Sequence, residues 1–176
     1  MPEQSDFSLV VDVSTVGPGG AEYAFVASPA ERRAVADRLG LVDLVALTGT
    51  ARVMRAAGEK GVYLEVHFVA DVVQSCVVTL EPVSMRLEED VERTYAPPTD
   101  PTADTADVVV TMEDDLTEPL VHDRLDIGAA VIEHLALSLD PYPRKPGAAF
   151  VLENQDVATN SPFAALARLK QPPKSG

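Results

Sequence analysis

"GVYLEVHFVADVVQSCVVTL", residues 61–80, is the stretch on which the fold turns. Val62, Leu64, Val66, Phe68, Ala70 and Val72 share one parity; Tyr63, Glu65, His67, Asp71, Ser75 and Thr79 share the other. A period of two sends these sets to opposite faces of a strand. The pattern is that of a long, half-buried antiparallel strand. Cys76, Val78 and Leu80 keep the apolar parity, so they are expected to prolong the buried face.

Upstream, "DLVALTGTARVMRAA" (43–57) is a second strand, and "GEKG" (58–61), with glycine at both ends, is the hairpin loop between them. Downstream, "EPVSMRLEEDVERTY" (81–95) reads as a return strand, with Val83, Met85 and Leu87 on one face and Ser84, Arg86 and Glu88 on the other. "APPTDPTADTAD" (96–107) holds three prolines and no large apolar side chain, which predicts a mobile loop or disordered insertion. "VVVTM" (108–112) is a strand and "EDDLTEPLVHD" (113–123) an acidic connection.

At the N-terminal end, "FSLVVDVSTV" (7–16) and "AEYAFVA" (21–27) flank the turn "GPGG" (17–20), which suggests a hairpin. In "SPAERRAVADRLGL" (28–41) Ser28 caps a helix, Pro29 suits its first position, Glu31 completes a capping box and Gly40 stops it. Its thin apolar face (Ala34, Val35, Leu39) places it across a sheet edge or surface. In "DRLDIGAAVIEHLALSLDPYP" (123–143) Asp126 caps a helix from Ile127 to about Leu139, ended by Asp140-Pro141. Only Glu133, His134 and Ser138 interrupt its apolar surface, which makes it the buried helix. "NSPFAALARLK" (160–170) is a short amphipathic helix in which Phe163, Leu166 and Leu169 share a face.

Strands and helices do not alternate regularly, which disfavours a doubly wound α/β fold. The expected class is α+β: a mainly antiparallel, strongly curved sheet with a long central hairpin, one helix in the N-terminal half, one buried helix and a short C-terminal helix. Residues 1–158 are expected to form one domain, with an acidic loop at 97–107, and 159–176 a helix and basic tail.

The chain of 176 residues suits one domain with a proper core. Its formal net charge of −14 argues against indiscriminate attraction to phosphate backbones. The charge is uneven: fourteen acidic residues lie between Glu81 and Asp126, against three arginines. From Arg144 onward the balance reverses, with Arg144, Lys145, Arg168, Lys170 and Lys174 against Glu153 and Asp156. The N-terminus carries no signal-peptide pattern, no run spans a bilayer, and the single cysteine allows no internal disulfide. A cytoplasmic protein without a membrane partner fits these features.

Chemical motifs are sparse. Zinc takes about four converging ligands, and the chain offers Cys76 and three scattered histidines without H-E-x-x-H spacing. His67 and Cys76 differ in strand parity, so a core cysteine is the favoured reading. His134 beside Glu133 suits a satisfied polar pair better than a general base. "GPGG" lacks the Lys-Ser/Thr of a phosphate loop. "EEDVE" and "MEDDLTE" lack EF-hand spacing and read as solvated faces. There is no G-x-S-x-G elbow. No enzyme, metal or cofactor is called for.

Two stretches together are more specific: "VVQSCVVTLEPV" (72–83) and "DRLDIGAAVIEHLALSLDPYPRKPGAAF" (123–150), with "NSPFAALARLK" beyond them. They resemble the YceD-like family of bacterial and plastid large ribosomal RNA subunit accumulation proteins, and "PYPRKPGA" resembles its alphaproteobacterial branch. The likeness spans roughly the last two-thirds of the chain. It implies a non-enzymatic role in large-subunit (23S) ribosomal RNA accumulation or processing, with ribosomal proteins or pre-ribosomal particles as partners and ribosomal RNA as the alternative. An unrecognised hydrolase is a third class.

The resemblance also implies a structural zinc in many relatives, held by Cys-x-x-Cys at "CVVTL" and by later thiols. Here Cys76 matches the first position, Thr79 replaces the second, and Arg144-Lys145-Pro146-Gly147 stands where the later pair falls. A metal-free form follows. Shared positions are Cys76, Leu80, Glu81 and Pro82 in the first motif, and Asp126, Glu133, Leu135, Pro141 and Pro143 in the second. Each serves equally as a turn, cap, buried or stop residue. Candidate contacts with protein or RNA are Tyr142, Arg144, Lys145, Phe163, Leu166, Arg168 and Lys170.

Overall fold

A computed structural model describes residues 7–55, 61–97, 117–120 and 122–149. The chain divides into two compact units, residues 1–146 and 147–176, and only 147–149 of the second are described. All but Gly61 of the hairpin loop expected at 58–61, all but Pro97 of the acidic loop expected at 97–107, the strand expected at 108–112, the expected C-terminal helix and the boundary at 158 lie outside the described residues.

The central hairpin forms as its alternation requires. Strands β3 (Asp43–Arg55) and β4 (Val62–Ser75) pair antiparallel, and β4 pairs with β5 (Pro82–Ala96) in continuous register from Val62↔Tyr95 to Ser75↔Pro82. All six apolar-parity residues of β4 are buried. β2 (Ala21–Val26) joins β3 antiparallel, and β6 (Thr117–Pro119) lies parallel to β5, giving the order β2-β3-β4-β5-β6. The sheet is therefore mixed, and part of the expected acidic connection is an edge strand. Pro119 is tolerated there because an edge needs fewer ladder donors.

Strong curvature is not supported. Sharp bending takes repeated bulges or glycine kinks, and the β3–β4 ladder shows one irregularity, between Leu44 and Ala46.

The expected N-terminal hairpin is replaced by a different pairing. β1 (Val10–Asp12) pairs not with β2 but with β7 (Arg124–Asp126), as a separate two-stranded sheet. The cause is local: the Asp12 carboxylate accepts from Ser14 N at 2.9 Å and starts a 3-10 turn, Val13–Thr15. That turn stops β1 before it reaches β2, and Val13 N donates to Asp123 O at 2.8 Å.

Both described α-helices start and stop as their sequences dictate. In α1 (Pro29–Leu39) Ser28 and Glu31 form the reciprocal capping box, and Gly40 closes the helix at φ 66°, a left-handed conformation that suits glycine. It buries Val35 and Ala36, and Leu39 packs partly buried against the core, so Val35 and Leu39 of the expected stripe hold and Ala36 takes the place of Ala34. α2 (Ile127–Ser138) is capped by Asp126, which accepts from Ala129 N at 3.2 Å. It buries Ile127, Gly128, Ala130, Val131, Ile132 and Leu135 against the inner face of the sheet. A Cβ on Gly128 would lie 2.6 Å from Phe7 O, so this close approach needs glycine.

Candidate functional site

The two sequence motifs, whose starts lie about fifty residues apart along the chain, meet at one end of the sheet. β4 stops at Ser75, and residues 76–81 turn the chain into β5. Cys76 N donates to Glu81 O at 2.8 Å and Leu80 N to Cys76 O at 2.9 Å, which closes the turn. The buried parity therefore ends at Cys76. Cys76 is fully buried, but Val78 is only half-buried and Leu80 is 79% exposed. Leu80 sits at φ 59°, a left-handed conformation unfavourable for a leucine. The expectation that Leu80 continues the core face fails because hydrogen bonds within the turn, not strand pairing, set its backbone.

The segment after α2 docks onto this turn. Val77 N donates to Pro143 O at 2.9 Å, Gln74 Nε2 to Asp140 O at 2.9 Å, and Lys145 N to Cys76 Sγ at 3.4 Å. Lys145 Nζ reaches Glu81 Oε2 at 3.0 Å. Gln74 Oε1 is buried with no partner among the described residues. Pro143 is buried, while Pro141, Tyr142 and Arg144 are exposed. Five of the expected residues (Cys76, Leu80, Glu81, Pro143 and Lys145) thus belong to one clamp. Pro82 opens β5 beside it.

Charge and hydrogen bonding stabilise the deprotonated forms of the clamp's acids. The Thr79 hydroxyl, then the Lys145 N–H, pull the Cys76 thiol down to about 6, against the opposing effect of burial; the Thr79 and Val78 N–H groups add to the fall. Thr79 N lies 3.4 Å from the sulfur. Lys145, and after it Thr79, hold the Glu81 carboxyl below its usual value.

The residues around Cys76 do not fit a zinc ion. A zinc site surrounds the metal with electron-pair donors. Here the groups directed at Cys76 Sγ are N–H and O–H hydrogen donors from Thr79 and Lys145. Hydrogen bonds and the Glu81–Lys145 pair join the two segments.

The remaining motif residues lie elsewhere. Leu135 is core. Asp126 caps α2 and also accepts from Leu9 N at 3.0 Å and Ser8 Oγ at 2.8 Å, tying the N-terminal segment to the helix. Glu133 and His134 do not pair with each other. Glu133 accepts from Arg93 at 3.0 Å, and His134 Nε2 lies 3.4 Å from Glu89. Phe163, Leu166, Arg168 and Lys170 lie outside the described residues.

Sequence reasoning missed Arg93 and Glu89. Arg93, 14% exposed, bridges Glu133 on α2 and Glu118 on β6. Burial opposes its charge, and the Glu133 hydrogen bond with the two carboxylate charges outweighs that, raising its pKa. Burial, then the Glu118 charge, pushes the neighbouring Tyr95 hydroxyl up to about 12. A signal existed: Glu89 and Arg93 share the inward parity of Leu87, Val91 and Tyr95, so β5 carries two charges on its core-facing side.

No helix among the described residues is long and apolar enough to cross a membrane, and none of their His, Cys, Asp and Glu side chains gather in threes as a metal site would. No curated protein and no solved structure matches the chain. A family model described as large ribosomal RNA subunit accumulation protein YceD matches residues 64–170, a span that contains β4 apart from its first two residues, β5, the clamp and α2. With more than half of its length matched, the chain belongs to the YceD family of large ribosomal RNA subunit accumulation proteins.

Proposed function

We propose that this protein promotes accumulation of large-subunit (23S) ribosomal RNA in the cytoplasm as a non-catalytic assembly factor that works through protein partners. The observation that carries the reading is the convergence of the two motifs, both inside the family match, on the clamp. The titratable groups there are engaged in joining two chain segments, and the apolar side chains Leu80 and Tyr142 face outward, 79% and 71% exposed. Such a surface suits docking better than turnover.

An acidic body favours basic proteins over RNA, since phosphate contact takes clustered Lys and Arg. A direct RNA contact is the second reading, favoured by exposed Tyr142 and Arg144. The deciding experiment is depletion of the protein in its own cells, followed by quantification of mature and precursor large-subunit RNA against small-subunit RNA. The proposed role predicts a selective fall in the large-subunit species, restored by the wild-type gene and poorly by Leu80→Ser/Tyr142→Ser. An unchanged ratio contradicts it.

A further inference from the structure

α2 covers the inner face of the sheet; among the described residues nothing covers the outer one. Successive cross-strand partners on that open face are Glu22, Arg52, Glu65 and Glu92, one from each of β2, β3, β4 and β5. The next row brings His67 beside Asp90, with His67 Nδ1 2.9 Å from Asp90 Oδ1 and Nε2 3.7 Å from Glu88. Arg52 is the sole cation in the first row, and the carboxylates outnumber it three to one.

Glu65 and Glu92 stand directly opposite each other. Like charges so placed destabilise a sheet, and an inert solvated face is better served by alternating signs. These side chains also border a shallow trough of about 430 Å³ that runs across all four strands. The depression gives the negative face a shape as well as a sign.

We propose that this trough is a docking surface for a lysine- and arginine-rich, extended segment of a protein partner. Charge complementarity selects the occupant: a polyanion meets Glu22, Glu65, Asp90 and Glu92 at close range and is repelled, whereas each basic side chain gains a carboxylate. The proposal rests on the assembly-factor reading, in which basic ribosomal proteins are the partners, and names the part of the molecule that meets them.

The test uses the full chain. Binding of a fluorescent Lys/Arg-rich peptide of about 15 residues, and of a single-stranded RNA of matched length, is measured for three proteins. These are the wild type, Glu65→Lys/Glu92→Lys, and Asp37→Lys/Asp43→Lys. The last makes the same charge change at exposed positions on α1 and at the start of β3, outside the trough lining. Glu65→Gln/Glu92→Gln serves if the double lysine variant fails to fold.

The expected result is peptide binding by the wild type that weakens about tenfold in the trough variant, with the Asp37/Asp43 variant within about twofold of wild type. Equal losses in both variants, no peptide binding at all, or tighter binding of the RNA each overturn the proposal. Co-sedimentation of the wild type and the trough variant with pre-ribosomal particles separates the two claims. Wild type that fails to co-sediment defeats the assembly-factor reading itself. A trough variant that co-sediments as well as wild type defeats the trough alone.

Discussion

Cys76 sits where a strand stops and a turn begins, and its sulfur collects hydrogen donors from both joined segments. Those donors make the thiolate the better partner, which ties the clamp to pH. The thiol is held low in the folded protein, at about 6, against an ordinary value of about 8.5. A depressed acid contributes stability that is complete above its unfolded value and is lost as pH falls through its folded value. Glu81, also depressed, acts in the same direction at lower pH. We therefore expect amide-exchange protection at Val77 and Lys145 to fall as pH drops from about 9 through about 6. Thr79→Val removes the leading donor and should move the thiolate absorbance titration upward. A midpoint unchanged by that substitution refutes the hydrogen-bond account.

The elements were legible wherever a local signal decided them. β4 alternates without interruption, Ser28 with Glu31 writes its own capping box, and Asp126 caps α2. A prediction follows for the last. Asp126→Ala removes acceptors for Ala129 N, Leu9 N and Ser8 Oγ together, and should cost about 2 kcal/mol in urea unfolding, at the upper end for a lost cap. Asp126→Asn should recover most of it, because asparagine caps nearly as well. Equal losses in the two would mean that charge, not hydrogen bonding, holds this helix end.

What remained illegible depends on partners distant in sequence. β1 pairs with β7, more than a hundred residues away, and no residue in either names the other. The Arg93 bridge joins three elements in the same way. Its inward parity marked it as unusual, but Glu118 and Glu133 could not be named as partners. Both carboxylates remain substantially exposed, so Arg93→Met should cost only about 1–2 kcal/mol, less than opening a fully buried pair. Leu80 was misplaced for the opposite reason: its apolar character agreed with a strand that had already ended.

At the scale of the molecule, the charge is unevenly distributed. The chain carries −14 overall, yet the segment after α2 is basic. "NSPFAALARLK" is too short to be a stable helix alone, since isolated helices under about 12 residues are marginal in water. If the expected helix forms, Phe163, Leu166 and Leu169 would share a face suited to a groove. Deleting residues 159–176 should leave the thermal melt unchanged and weaken association with pre-ribosomal particles. Unfolding of the truncated chain, or undiminished association, would remove the tail from the account.

The central claim is that the protein reaches ribosomal RNA through proteins. Its most direct test is co-purification of the tagged full-length chain from its own cells, with and without nuclease, followed by identification and quantification of what is retained. The account predicts that large-subunit ribosomal proteins stay bound after the RNA is digested. Recovery that disappears with nuclease would contradict it and point to direct RNA binding instead.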